Sequence, residues 1–149
     1  YVCMDAYPFK EEYNSAIKVG EKAMDIAVKA NIVNRYFAAL FNFKIAECYI
    51  SSDDLDMAKI YMEQAEQISL ENEYYFLLAH NALLKEQLLI KELKKNPHLK
   101  IQNIQEIYKN LCNAEKLTEI AQNHNMSIQI QEHLKNITKF AQDQGIKLI

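Results

Sequence analysis

Hydrophobic residues recur at helical spacing on both sides of a short polar segment in the stretch from Ala38 to Ser69. Ahead of that segment, Tyr36, Ala39, Phe43, Ala46 and Ile50 share one face, with Leu40, Phe41, Ile45 and Tyr49 beside it. Steps of three and four residues predict a helix from roughly Ile32 to Ile50, and so wide an apolar surface predicts that it is covered from more than one side. Behind the segment, Leu55, Ala58, Met62 and Ala65 predict a second helix running to about Ser69. The joint between them, Ser51-Ser52-Asp53-Asp54, is too short to let the helices part, so they form an antiparallel hairpin. Ser52 or Asp53 is the expected N-cap, and Asp53, Asp54 and Asp56 fall where a helix dipole favours negative charge.

The same periodicity covers the rest of the chain. Phe9, Tyr13, Ala16, Gly20, Ala23 and Ala27 predict a helix from Phe9 to about Ala30 with a stripe of small residues, flanked by Ile17 and Met24, that lets a neighbour approach closely. Further helices are expected from Glu73 to about Lys95, from Ile104 to about Ala121 and from Ser127 to about Gln142. Asn96-Pro97 ends the first of these, because the residue before proline is pushed out of helical geometry. Residues 97–102 are expected as a linker, Asn123-His124-Asn125 as a break, Ser127 as the cap of the last helix and Gly145 as its stop. On that last helix Gln129, Glu132, Lys135, Asn136 and Lys139 make a polar outer side, and Leu134, Ile137 and Phe140 an apolar inner one.

The hairpin spacing has a physical reason: Ala46 and Ala58 fall where two helices must meet closely, and Tyr49, Leu55 and Met62 fill the space around them. Asn42-x2-Ile45-Ala46-x2-Tyr49 followed by Ala58-x3-Met62-x2-Ala65 resembles the tetratricopeptide repeat, whose pattern is W-x2-L-G-x2-Y and then A-x3-F. Asn42 stands at the tryptophan position and Met62 at the aromatic one. Tyr13, Ala16, Gly20 and Ala23 each lie 42 residues before Leu55, Ala58, Met62 and Ala65, a period similar to the longer-helix variants of that family found in peptide-sensing bacterial regulators and kinesin light chains. Residues 1–8 then correspond to the end of a preceding helix. The resemblance implies an all-α fold of antiparallel hairpins stacked as a short α-solenoid of about six helices, one domain over residues 1–149; the opening on Tyr1 and not methionine adds the expectation of a fragment of a longer protein.

Composition agrees with that class. Half of the 149 residues are hydrophobic, enough for a real core, and two glycines and two prolines leave little turn chemistry for a many-stranded β fold. A net charge of −3 offers no general attraction to phosphate backbones or anionic membranes, so neither nucleic acid nor membrane is an expected direct partner. Cys3, Cys48 and Cys112 are odd in number and far apart, which fits a reducing cytoplasm better than a disulfide framework. No run approaches the ~18 apolar residues that span a bilayer.

Chemistry-bearing motifs are sparse. The glycine-rich phosphate loops and the nucleophile elbow are absent, and two glycines could not build them. His124 and His133 lack further ligands at zinc spacing, and Cys48 lies on the packing side of a helix, so no metal, cofactor or catalytic residue is expected. His80, in LLAHNALLKEQ, supplies the competing enzyme reading, a histidine phosphotransfer fragment, but it lacks the residues that follow the histidine in such boxes. What the family resemblance implies is a binding scaffold for a protein or a short peptide, or the ligand-sensing part of a bacterial signalling or transcription regulator. It places Phe43, Glu47 and Ile50 in a groove with Asn42 or Lys44 at its margin, and Asn81 and Lys85 in the corresponding place on the next hairpin. Asparagine suits such a groove, since one amide both donates to and accepts from a peptide backbone. The terminal helix is expected to cap the array, the alternative being that it docks a second copy of the chain as a homo-oligomer.

Overall fold

The computed structural model describes residues 10–29 and 34–149, and within them the chain is all-α, with no strand among the described residues. Six helices follow one another: α1 (Lys10–Lys29), α2 (Arg35–Ser52), α3 (Leu55–Glu71), α4 (Tyr75–Lys95), α5 (Lys100–Ile120) and α6 (His124–Asp143). Cys3 and the expected helix remnant over residues 1–8 lie outside the described residues. The chain divides between Tyr74 and Tyr75 into two compact units.

In the first unit α2 packs against both α1 and α3. The small residues that define the repeat spacing are where close approach requires them: Ala16, Ala39, Ala46, Ala58 and Ala65 are completely buried. Ala16 and Ile17 of α1 pack with Ile45 and Cys48 of α2, and Tyr13, Phe41, Tyr49 and Tyr61 close over this cluster. At the far end of the hairpin, Arg35 meets Glu71 at 3.1 Å, and the Tyr36 ring sits edge-on to Tyr74.

The second unit repeats the arrangement, with α5 packed against both α4 and α6. Ile104, Ile107, Leu111 and Ala114 form the buried side of α5, and Met126, Ile130, Ile137 and Ala141 that of α6. Asn103 is buried and satisfied, its amide donating to the Leu89 carbonyl at 3.1 Å. The five polar positions expected on the outside of α6 are exposed. Phe140 is not on the inside as expected: it is 42% exposed, with the Lys100 ammonium 5.6 Å from its ring centre, and Ala141 takes the buried place beside it. Lys100 also reaches Gln144, and Gln105 donates to the Lys147 carbonyl, so the tail is fastened back onto α5.

Helix ends differ from expectation in a consistent way. Asp53, Glu73, Gln122 and Gly145 all have positive φ, between 52° and 71°, and in each case the next amide donates back to the carbonyl five residues earlier: Asp54 to Tyr49, Tyr74 to Ser69, Asn123 to Thr118 and Ile146 to Ala141. This left-handed closure satisfies carbonyls that the helix end would leave bare. Because Asp53 closes α2, the N-cap of α3 is neither Ser52 nor Asp53 but Asp54, whose carboxylate accepts from Met57 N at 3.2 Å. In the same way Gln122 closes α5 and Asn123 caps α6, accepting from Met126 N, so α6 starts earlier than expected and Ser127 lies inside it. Glu73 closes α3 instead of opening α4. The expected linker after Asn96 is a single 3-10 turn, Pro97–Leu99, with α5 under way from Lys100.

Candidate functional site

Three helices of the first unit surround an open cleft of about 460 Å³. Glu21 and Met24 come from α1, Ala38, Asn42 and Ile45 from α2, and Tyr61 and Gln64 from α3. Each group is spaced by three or four residues, so each helix offers one face, and small Ala38 keeps the space between the faces open. Ala38 and Ile45 make an apolar floor with buried Asn42 to one side of it, whereas Glu21 and Gln64 are exposed and stand at the lip. Asn42 is fixed by its own helix, its amide donating to the Ala38 carbonyl at 3.0 Å.

Tyr61 gives the cleft its polar anchor. Its hydroxyl donates to a Glu21 carboxylate oxygen at 2.6 Å, and its ring stacks on Tyr49 at 5.5 Å between centres. Burial pushes the Tyr61 hydroxyl far above the usual phenol range, and the hydrogen bond to Glu21 and the charge of that carboxylate add to the effect. The Tyr49 hydroxyl is raised for the same leading reason, burial, with the Glu21 and Asp54 charges contributing. Both rings therefore remain neutral donors at physiological pH, and among the described residues Glu21 is the one charged group lining the cleft.

A second open groove, of about 400 Å³, runs between α5 and α6 in the second unit. Tyr108 and Cys112 line one wall, and Lys135 and Lys139 the other. A hydrogen bond with Cys112 is the main cause that raises the Tyr108 hydroxyl above its ordinary value. Glu115 also lines this groove, and Gln131 donates to it at 3.1 Å. The most buried charged group of this unit is Glu86 of α4, 9% exposed, whose carboxylate lies 2.5 Å from Nδ1 of His133 on α6.

The residues expected at a binding groove are dispersed. Asn42 lines the first cleft. Phe43 and Ile50 are buried, at 0% and 2% exposure, on another side of α2, because at 100° per residue they stand well away from Ala38, Asn42 and Ile45. Glu47 is half-exposed and pairs with Lys44 at 3.1 Å. On α4, Asn81 is buried with its Oδ1 atom lacking a hydrogen-bond partner, and Lys85 is half-buried, as is His80. Glu21, Tyr61 and Gln64 were not on the expected list. Their signal is visible only as polar residues at the edge of apolar stripes, and the pairing of three helical faces is what brings them together. Among the described residues no group of three or more His, Cys, Asp or Glu side chains is placed to hold a metal ion, and no helix is long and apolar enough to cross a membrane. No protein-family model, curated protein or solved structure matches the chain.

Proposed function

We propose that the chain is a helical-repeat scaffold of tetratricopeptide type, working in the cytoplasm, that binds a short peptide or a segment of a partner protein and carries no catalytic group of its own. The observation that carries this reading is the cleft of the first unit, with an apolar floor at Ala38 and Ile45 and amides and a carboxylate at its sides. Such a mixture suits an extended peptide, whose side chain enters the floor while its backbone meets the Asn42 and Gln64 amides. The repeat reading draws support from the complete burial of Ala16 and Ala58, 42 residues apart.

The test is selection of binders from a random peptide library against the intact chain, followed by resonance mapping on the labelled protein. Selected peptides should shift Ala38, Asn42 and Ile45. Ala38→Arg, which fills the cleft from a partly exposed position, should abolish binding while leaving the melting temperature within a few degrees. Peptides that bind Ala38→Arg as tightly as the parent would remove the cleft from the reading, and a library that yields no binder would remove the scaffold.

A further inference from the structure

We infer that the cleft of the first unit reads a two-residue feature, an apolar side chain next to an arginine or lysine, in the peptide it binds; this rests on the binding role proposed above. The geometry divides the two tasks. The floor offers Ala38 and Ile45 with Met24 beside them, a surface that only an apolar side chain can cover without losing hydrogen bonds to water. The lip offers Glu21, and among the described residues no cationic side chain lines the cleft to neutralise it. Charge complementarity therefore selects a cation for the neighbouring position of the peptide.

Glu21 retains the capacity for this contact. Tyr61 donates one proton to the carboxylate and the Tyr49 hydroxyl is a second donor to it, and since a carboxylate has about four acceptor sites, the planar donors of a guanidinium still find vacant ones. Because Tyr61 keeps its proton, it holds the carboxylate in place without adding a second negative charge. Its ring lines the cleft wall as well, with one face stacked on Tyr49, so only the opposite face can meet the cation. An acidic or phosphorylated side chain at the same place would meet Glu21 with no compensating donor charge, so the lip also works by exclusion. The groove of the second unit is lined by both signs, Lys135 and Lys139 with Glu115, and so lacks the single negative charge that marks the first.

The probes are three labelled hexapeptides, Gly-Ser-Arg-Leu-Ser-Gly and its counterparts with citrulline or glutamate in place of arginine, titrated into the intact chain by fluorescence anisotropy. The arginine peptide should bind roughly tenfold more tightly than the citrulline one, the worth of a hydrogen bond to a charged group, and the glutamate peptide should not bind. In Glu21→Gln, which still accepts from Tyr61, the arginine and citrulline peptides should become equal. Gln64→Lys, an exposed change at the lip, should reverse the order of the arginine and glutamate peptides. Equal binding of arginine and citrulline to the parent chain overturns the charge reading and leaves the scaffold standing. Failure of all three probes while library-selected peptides occupy the cleft overturns it too. If the library also yields nothing, the scaffold reading itself has failed.

Discussion

The Tyr61 hydroxyl of α3 donates to the Glu21 carboxylate of α1 across 2.6 Å, joining two helices that both lean on α2 between them. The second unit has a counterpart, Glu86 of α4 against His133 of α6, at 2.5 Å, with α5 between. In each unit a polar side-chain pair ties the outer helices, while apolar packing and further polar contacts such as Arg35–Glu71 and Gln131–Glu115 hold them to the middle one.

Removing the first tie should be measurable but mild. Tyr61→Phe keeps the stack on Tyr49 and deletes only the donor, so urea denaturation should show a loss of about 0.5 to 1.5 kcal/mol. An unchanged midpoint would mean that water replaces the hydroxyl without cost.

Alkaline pH should expose the same contact. Tyr49 and Tyr61 hold their protons more tightly in the folded chain than a free phenol does, so above the unfolded value of ~10 the unfolded state ionises first and is favoured. The contribution of these rings is complete below that pH and declines as pH rises through the folded values. Urea midpoints should therefore fall above pH ~10, and Tyr61→Phe should flatten the fall. Tyrosinate absorbance in the two chains identifies the late-ionising ring.

The second tie is more deeply placed, and its loss should cost more. His133→Ala leaves the Glu86 carboxylate, 11% exposed in its side chain, without the contact that satisfies it, and thermal or urea melts should show a loss of about 1 to 3 kcal/mol. His133→Gln keeps a donor at similar reach and should recover part of it. Equal losses in both variants would place the effect in packing of the imidazole ring.

Packing at the hairpin is tested by Ala58→Leu. The site is fully buried at the α2 and α3 crossing, so extra methylenes should cost about 1 to 3 kcal/mol, against little for exposed Lys59→Ala. Similar small losses at both positions would contradict a close crossing there.

Truncation after Asn125 removes the helix whose Met126, Ile130, Ile137 and Ala141 are buried, and should leave apolar side chains of α5 uncovered. Light scattering should then show a monomeric full chain and a self-associating shortened one. A dimeric full chain made monomeric by the cut would show instead that α6 is an interface between copies.

What the sequence made legible was periodicity. Steps of three and four located the six described helices, because burial of one face dictates that spacing whatever the neighbours are. It also marked Ala58 and Ala65 as contact points. The cleft was legible only at Asn42. Phe43 and Ile50 follow the same helical rhythm, and a single sequence does not say which of two faces separated by about 100° meets solvent. Glu21 and Tyr61 are 40 residues apart, and nothing local announces that they touch. Caps failed for a local reason: Ser52, Asp53 and Asp54 are all capable N-caps, and the choice fell to the residue left over once the preceding helix had closed.

That closure has a consequence for how far the chain stands from its own optimum. Four helices end on the same left-handed residue, yet only Gly145 is the type for which that backbone is free of strain; Asp53, Glu73 and Gln122 carry a side chain through it. Aspartate tolerates the conformation better than glutamate or glutamine, so the cost is concentrated at Glu73 and Gln122. Those two exposed joints are therefore places where the chain can be made sturdier without touching its core or its cleft. Sharp reversals here are made without glycine, and the headroom for strengthening them is a record of that choice.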